Sequence, residues 1–172
     1  MKKSDVGIIM GSDSDLEIMA EAAKILEEFG VTYDITVASA HRSPDLVHKY
    51  ATSAKEDHGF KVIIAGAGGA AHLAGVVASL VTIPVIGVPV KAKSLDGLDS
   101  LFSTVNMPPG VPVATVGINA AKNAGILAVQ ILALFDKDLE NKLFAYKQKM
   151  SDEVKLKGER LSEIGFKKYL EK

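Results

Sequence analysis

The sequence predicts an α/β protein built on a doubly wound parallel sheet, and three observations carry that expectation. The apolar runs at 6–10, 62–65 and 84–88 show no polar alternation, as strands covered on both faces require. Between the first two runs lies a stretch with the three- and four-residue apolar repeat of an amphipathic helix. The runs near 10, 37 and 65 each lead into a turn rich in small or polar residues, where open α/β sheets bind ligands.

Taken in order, Val6-Gly7-Ile8-Ile9-Met10 is the first strand and Gly11-Ser12-Asp13-Ser14-Asp15 turns the chain. Leu16, Met19, Ala22, Ala23, Leu26 and Phe29 form one face of a helix that Gly30 ends. Residues 32–37 read as a second strand. Ser43 as N-cap and Pro44 at the first helical position open a second helix over 45–57, closed near Gly59. The segment 62–90 contains no Asp, Glu, Lys or Arg, yet its five glycines, two prolines and His72 break it into strand 62–65, glycine loop, short helix and strand 84–88, not a membrane span. A helix over 95–105, a fifth strand over 111–116 and a largely apolar helix over 119–135 complete a core of about residues 5–135. That last helix is expected to be buried, with a subunit interface as one place for it.

From Asp136 onward the chain carries 18 of its 41 charged residues, while Leu139, Leu143, Tyr146, Met150 and Val154 keep a stripe at helical spacing. The pattern fits a helical extension that lays this stripe on a neighbouring subunit, and equally a helix packed back on its own domain. The last dozen residues are expected to fray. The 172 residues suit one domain with this extension. A net charge of -1 argues against a nucleic-acid or anionic-membrane surface, and the absence of cysteine excludes disulfides and thiolate chemistry and fits a reducing cytoplasm. Met1 to Asp5 lack the apolar region of a signal peptide.

Three loops at one sheet edge supply the candidate site. Ser39-Ala40-His41-Arg42-Ser43-Pro44 pairs an imidazole, the side chain best suited to carry a proton both ways at neutral pH, with a guanidinium fork for a phosphate or carboxylate. An exposed capped turn can hold the same pair without chemistry, so the neighbouring loops matter. Ser12, Ser14 and Asp15 open a helix whose amides and hydroxyls suit a phosphate, although Ser12-x-x-Asp15 and Ser14-x-x-Glu17 also read as capping boxes. Gly66-Ala67-Gly68-Gly69-Ala70-Ala71-His72 lacks the dinucleotide spacing and the P-loop lysine, and its small residues permit close approach of a flat ligand.

Together these segments resemble the N5-carboxyaminoimidazole ribonucleotide mutases of purine biosynthesis, a family that also holds the aminoimidazole ribonucleotide carboxylases. The resemblance rests on Gly-Ser-x-Ser-Asp at 11–15, Ser-Ala-His-Arg-x-Pro at 39–44 and Ala-Gly-Ala-Gly-Gly-Ala-Ala-His-Leu at 65–73. It continues with Pro-Val-x-Gly-Val-Pro-Val at 84–90, Asp-Ser-Leu at 99–101 and Met107-Pro108 with Gly110-Val111-Pro112-Val113-Ala114-Thr115. It covers roughly residues 6–135, and the charged tail resembles the family's C-terminal helical extension. Two positions depart from the pattern: Ala74 stands in place of proline and Asn106 in place of glutamine.

The resemblance implies a flavodoxin-like three-layer α/β/α sandwich, a cytoplasmic homo-octamer, and conversion of N5-carboxyaminoimidazole ribonucleotide to the isomer carboxylated on ring carbon, with neither metal nor organic cofactor. Carried over by position, His41 is the proton carrier. Ser12 and Arg42, helped by Ser14, take the 5'-phosphate, Asp15 the ribose, and Ser39, the Gly68-Gly69 backbone and His72 the base and carboxylate. Arg42, where the carboxylases of free carbon dioxide resemble one another in having lysine, favours the mutase. Fold alone would also admit a phosphate-responsive signalling domain or a flavin carrier. The first lacks its acidic residue after the third strand, where Ala65-Gly66 stand, and the second lacks aromatic residues in the three loops.

Overall fold

In the computed structural model, which describes residues 3–171, the sheet is parallel throughout and its strands lie in the order β2-β1-β3-β4-β5. These are β1 (Val6–Met10), β2 (Tyr33–Val37), β3 (Val62–Gly68), β4 (Val85–Val90) and β5 (Ala114–Thr115). This is the flavodoxin-like order, with its switch point between β1 and β3. Helix α1 (Leu16–Phe29) follows β1, α2 (Pro44–Ser53) follows β2, α3 (Leu73–Leu80) follows β3, α4 (Leu98–Val105) follows β4 and α5 (Ala121–Ala133) follows β5.

The period-two alternation of the strands sorts these helices between two faces. Gly7, Ile9, Ile63, Ala65 and Val85 point toward α2 and α3, where they pack with Val47, Tyr50, Ala51, Leu73 and Val77. Gly66 lies against Met19 of α1 on the opposite face, and Gly125 of α5 packs on Ala22 and Ile25 of α1. Two glycines admit these neighbours by lacking a side chain. A Cβ on Gly66 would stand 2.2 Å from Met19 Sδ, and one on Gly125 would stand 2.1 Å from Ile25 Cγ2. Strands β1, β3 and β4 are buried almost end to end, which accounts for their unbroken apolar sequence.

The predicted elements recur with corrections at their ends. Helix α1 has the expected bounds, and Gly30 closes it at φ 75°. Helix α2 stops at Ser53 instead of continuing to 57, because Thr52 and Ser53 turn their hydroxyls back to carbonyls at 48–50 while the chain folds toward Gly59, at φ 78°. The predicted 95–105 helix is broken. Leu95, Asp96 and Gly97 have positive φ in a 3-10 turn before α4, where Gly97 passes Ile118 too closely for a Cβ. Strand β5 keeps only two of its six expected residues, since Pro112 has no amide hydrogen for the ladder and the register with β4 is limited to Ala114 and Thr115.

The chain divides into two compact units, the first ending at Leu132 and the second beginning at Ala133. The second unit is chiefly α6 (Lys137–Leu170), which Asp136 caps by accepting from the amides of Asp138 and Leu139. Helix α6 runs to Leu170, with one non-helical residue at Gly165, and of the dozen residues expected to fray Lys172 lies outside the described residues. Among the described residues no helix is long and apolar enough to cross a membrane.

Candidate active site

Each loop of the site is set by local chemistry. After β1, a 3-10 turn at Asp13–Asp15 is closed by a capping box in which Ser12 Oγ accepts from the Ser14 amide and Asp15 Oδ2 accepts from the Ser12 amide at 3.2 Å. The second predicted box does not form. Asp15, and not Ser14, precedes α1, and Ser14 Oγ donates to Ser12 Oγ at 3.0 Å. Asp15 is buried to 7 % exposure, and that burial raises its carboxyl above the ordinary range. The Ser12 amide and the Arg42 charge oppose the rise without cancelling it.

After β2, the loop closes on itself. Ser43 is the residue before α2 as expected, but its hydroxyl bridges the loop instead of capping the helix, accepting from the Ser39 amide at 2.9 Å and donating to the Ser39 carbonyl at 3.2 Å. Ser39 Oγ in turn accepts from the Arg42 amide at 3.2 Å. His41 and Arg42 are thereby held at the tip with exposed side chains, and Arg42 Nη2 donates to the Gly11 carbonyl at 3.3 Å, linking the first two loops. After β3, the glycine loop brings His72 to His41, with His41 Nε2 3.0 Å from His72 Nδ1 and the rings edge to face. Two imidazoles at this distance share one proton, donated by one ring and accepted by the other.

These loops enclose a cleft of about 330 Å³, at the small end of the roughly 300–1,000 Å³ typical of ligand pockets. Ser12, Ser14, Asp15, Ser39, His41, Arg42 and Gly68 all line it. Gly69 does not: its amide is turned away and donates to Ser100 Oγ at 2.8 Å. His72 stands at the border, paired with His41 and lining a second, more apolar groove with Phe102 and Met107. A fourth loop, after β4, adds Ala92 to the cleft. Its place follows from the doubly wound rule, but the segment has no polar motif to mark it. Arg42 is the one permanently charged cation among the lining residues, which also include the polar side chains Ser12, Ser14, Asp15, Ser39 and His41 of the first two loops. Among the described residues no cluster of three His, Asp or Glu side chains is arranged to hold a metal ion.

Residues 5–153 match the model of the AIR carboxylase family. The chain belongs to that family. It is 62 % identical to the N5-carboxyaminoimidazole ribonucleotide mutase of Thermotoga maritima, over 96 % of each chain. It is 54 % identical to the phosphoribosylaminoimidazole carboxylase of Candida glabrata, over 99 % of this chain but 30 % of that much longer protein. A crystal structure of Treponema denticola PurE superposes with a TM-score of 0.82 at 30 % identity, covering 94 % of this chain and 98 % of the other. The fold and family that the loop motifs implied are thus those of the molecule.

Proposed function

We infer that this AIR carboxylase family member is an N5-carboxyaminoimidazole ribonucleotide mutase, an isomerase of purine biosynthesis. The observation that carries the reading is the convergence of one proton carrier, His41, and one phosphate-binding fork, Arg42, on a cleft whose other lining residues, Asp15 aside, are uncharged and mostly small. Full-length likeness to a mutase supports it.

In this reading Arg42, Ser12 and Ser14 hold the 5'-phosphate, Asp15 accepts from a ribose hydroxyl with the oxygen its capping bond leaves free, and Ser39 and Gly68 border the base. His41 enters as imidazolium. The N–C bond of the carbamate breaks, its electron pair stays on nitrogen, and His41 gives that nitrogen a proton. Carbon dioxide is retained against the glycine loop, and the electron-rich ring carbon attacks it, forming the new C–C bond. The ring-carbon proton then passes to the now neutral His41, which is again imidazolium. One imidazole completes the cycle with no net proton change.

A second reading, carboxylation of aminoimidazole ribonucleotide by free carbon dioxide, is favoured by the likeness to the Candida glabrata carboxylase. Supplying each substrate in turn separates the two. The mutase reading expects turnover of the N5-carboxylated ribonucleotide at low bicarbonate, and turnover only of the uncarboxylated one with bicarbonate would overturn it. We further propose a cytoplasmic homo-octamer. Exposed Leu98, Phe102 and Val105 on one side of α4, and exposed Phe144, Val154 and Leu156 on α6, give it apolar surface to bury. Deleting residues 137–172 should lower the number of subunits per particle found by light scattering, and an unchanged number would remove α6 from the interface.

A further inference from the structure

The Asp99-Ser100-Leu101 motif has no place in the chemistry above, and α4, which carries it, contributes no side chain to the cleft. Yet α4 turns three hydroxyls, Ser100, Ser103 and Thr104, toward the sheet. Ser100 is fully buried and Thr104 nearly so. Alanine would favour the helix more and bury no polar group there. For Ser100 and Ser103 a reason lies in the loop they face. Ser100 Oγ accepts from the Gly69 amide at 2.8 Å and donates to the Val90 carbonyl at 2.7 Å, so one buried hydroxyl ties the glycine loop to the end of β4. Ser103 Oγ donates to the Asp99 carbonyl one turn back in α4, accepts from the Ala71 amide at 3.3 Å and lies 3.2 Å from the Gly69 carbonyl. Thr104 donates to the Ser100 carbonyl at 2.7 Å, within α4 itself.

These contacts bracket residues 69–71, immediately before His72. Gly69 is left-handed at φ 66°, and tight i to i+2 bonds run from the Ala71 amide to Gly69 and from the His72 amide to Ala70. The loop has no sheet ladder at this point: the α4 hydroxyls hold residues 69–71, and α3, whose Val76 amide donates to the His72 carbonyl at 3.0 Å, anchors its far end. His72 then meets His41 at 3.0 Å. We propose that Ser100 and Ser103 are positioning residues for the reaction: through the glycine loop they hold His72 against His41 and so fix the ring orientation of the proton carrier. The proposal rests on the mutase reading for its kinetic consequence, but its structural half, the pairing of the two imidazoles, can be read without turnover.

The test compares wild type with Ser103→Ala, Ser103→Thr, Ser100→Ala and Ser53→Ala. The last removes a comparable helix hydroxyl, one bonded back to the Lys49 carbonyl in α2, away from the glycine loop. With ¹⁵N-labelled histidine, the ring nitrogens of His41 and His72 should give the signature of a donor–acceptor pair in wild type, Ser53→Ala and Ser103→Thr, and lose it in Ser103→Ala. For the N5-carboxylated ribonucleotide, Ser103→Ala should lower kcat by about 10- to 100-fold, the scale of a misplaced catalytic group, with KM within about twofold because the phosphate loops are untouched. Ser103→Thr should restore most of it.

In a His72→Asn background the same Ser103→Ala change should lower kcat less than about twofold, since the effect travels through His72. Ser100→Ala should act in the same direction, and if it fails to fold, Ser103→Ala decides alone. Unchanged imidazole signals, unchanged kcat, or full additivity with His72→Asn would each overturn the proposal. If wild type itself does not turn over the substrate, the mutase reading fails while the imidazole signals still decide whether α4 positions the pair.

Discussion

Replacing Arg42 by lysine keeps a positive charge in the cleft and removes the two-pronged donor, which makes it the sharpest probe of phosphate binding. Among the described residues Arg42 is the only permanent cation lining the cleft, and the chain's other arginine is Arg160, in the second unit. No neighbouring guanidinium in the cleft can take over. Two losses are expected, one seen in the structure and one that follows from the proposed role. The bond from Nη2 to the Gly11 carbonyl is 3.3 Å and exposed, so its removal costs little stability. The second loss is one charge-assisted hydrogen bond to the phosphate, worth about 1.5–3 kcal/mol, so Kd should rise roughly 10- to 150-fold. Isothermal titration with aminoimidazole ribonucleotide measures this directly. With the proton carrier untouched, kcat at saturation should change far less than Kd. An unchanged Kd, or a fall in kcat at unchanged Kd, would refute the assignment of Arg42 to the phosphate.

Three further outcomes follow from groups already described. Burial raises the folded-state pKa of Asp15 above its unfolded value, so the folded state binds the extra proton and stability falls as pH rises from the unfolded value through the folded one. Asp15→Asn, which can still accept from the Ser12 amide, should flatten that slope in urea titrations and be no less stable at pH 7, while binding ribonucleotide more weakly. A stability loss at pH 7 with the slope intact would contradict this. Tyr50 Oη is buried against the backbone of Gly7 with no hydrogen-bond partner among the described residues, and burial pushes its phenol up. Tyr50→Phe should therefore be neutral or stabilising by up to about 1 kcal/mol, where loss of a real hydrogen bond would destabilise by a similar amount. Gly125→Ala gains helix propensity but drives a Cβ into Ile25 and the Ala22 carbonyl, so the net cost should be about 1–3 kcal/mol by chemical denaturation, and a stabilised variant would show that α1 and α5 can separate freely.

The sheet was legible because burial on both faces writes itself as uninterrupted apolar sequence in β1, β3 and β4, and α1 because its stripe and Gly30 agree on where it ends. The loops of the site were legible for a related reason. They leave the same edge of a doubly wound sheet, so Ser12, Asp15, Ser39, His41, Arg42 and Gly68 fall together once the strand order is known. What the sequence did not reveal depends on contacts between segments far apart in the chain. Nothing local says that the Gly69 amide belongs to Ser100, that the Ser43 hydroxyl returns to Ser39 and leaves α2 uncapped, or that His72 faces His41. The break before α4 was hidden as well, because Leu95 and Asp96 are ordinary in a helix and the close passage of Gly97 beside Ile118 is a contact between segments distant in sequence.

The central claim is that His41 alone carries the proton. His41→Asn keeps a polar side chain of similar reach and cannot shuttle a proton at neutral pH, so it separates binding from chemistry. In heavy water, wild type should exchange the ring-carbon hydrogen of aminoimidazole ribonucleotide with solvent, followed by proton NMR, and His41→Asn should not, although both bind the nucleotide with similar affinity. Turnover of the N5-carboxylated ribonucleotide should fall by roughly 10²- to 10⁴-fold or more, as for loss of a general acid–base. Exchange and turnover near the wild-type rate in His41→Asn would contradict the account and pass the proton to another group, His72 being the one within reach.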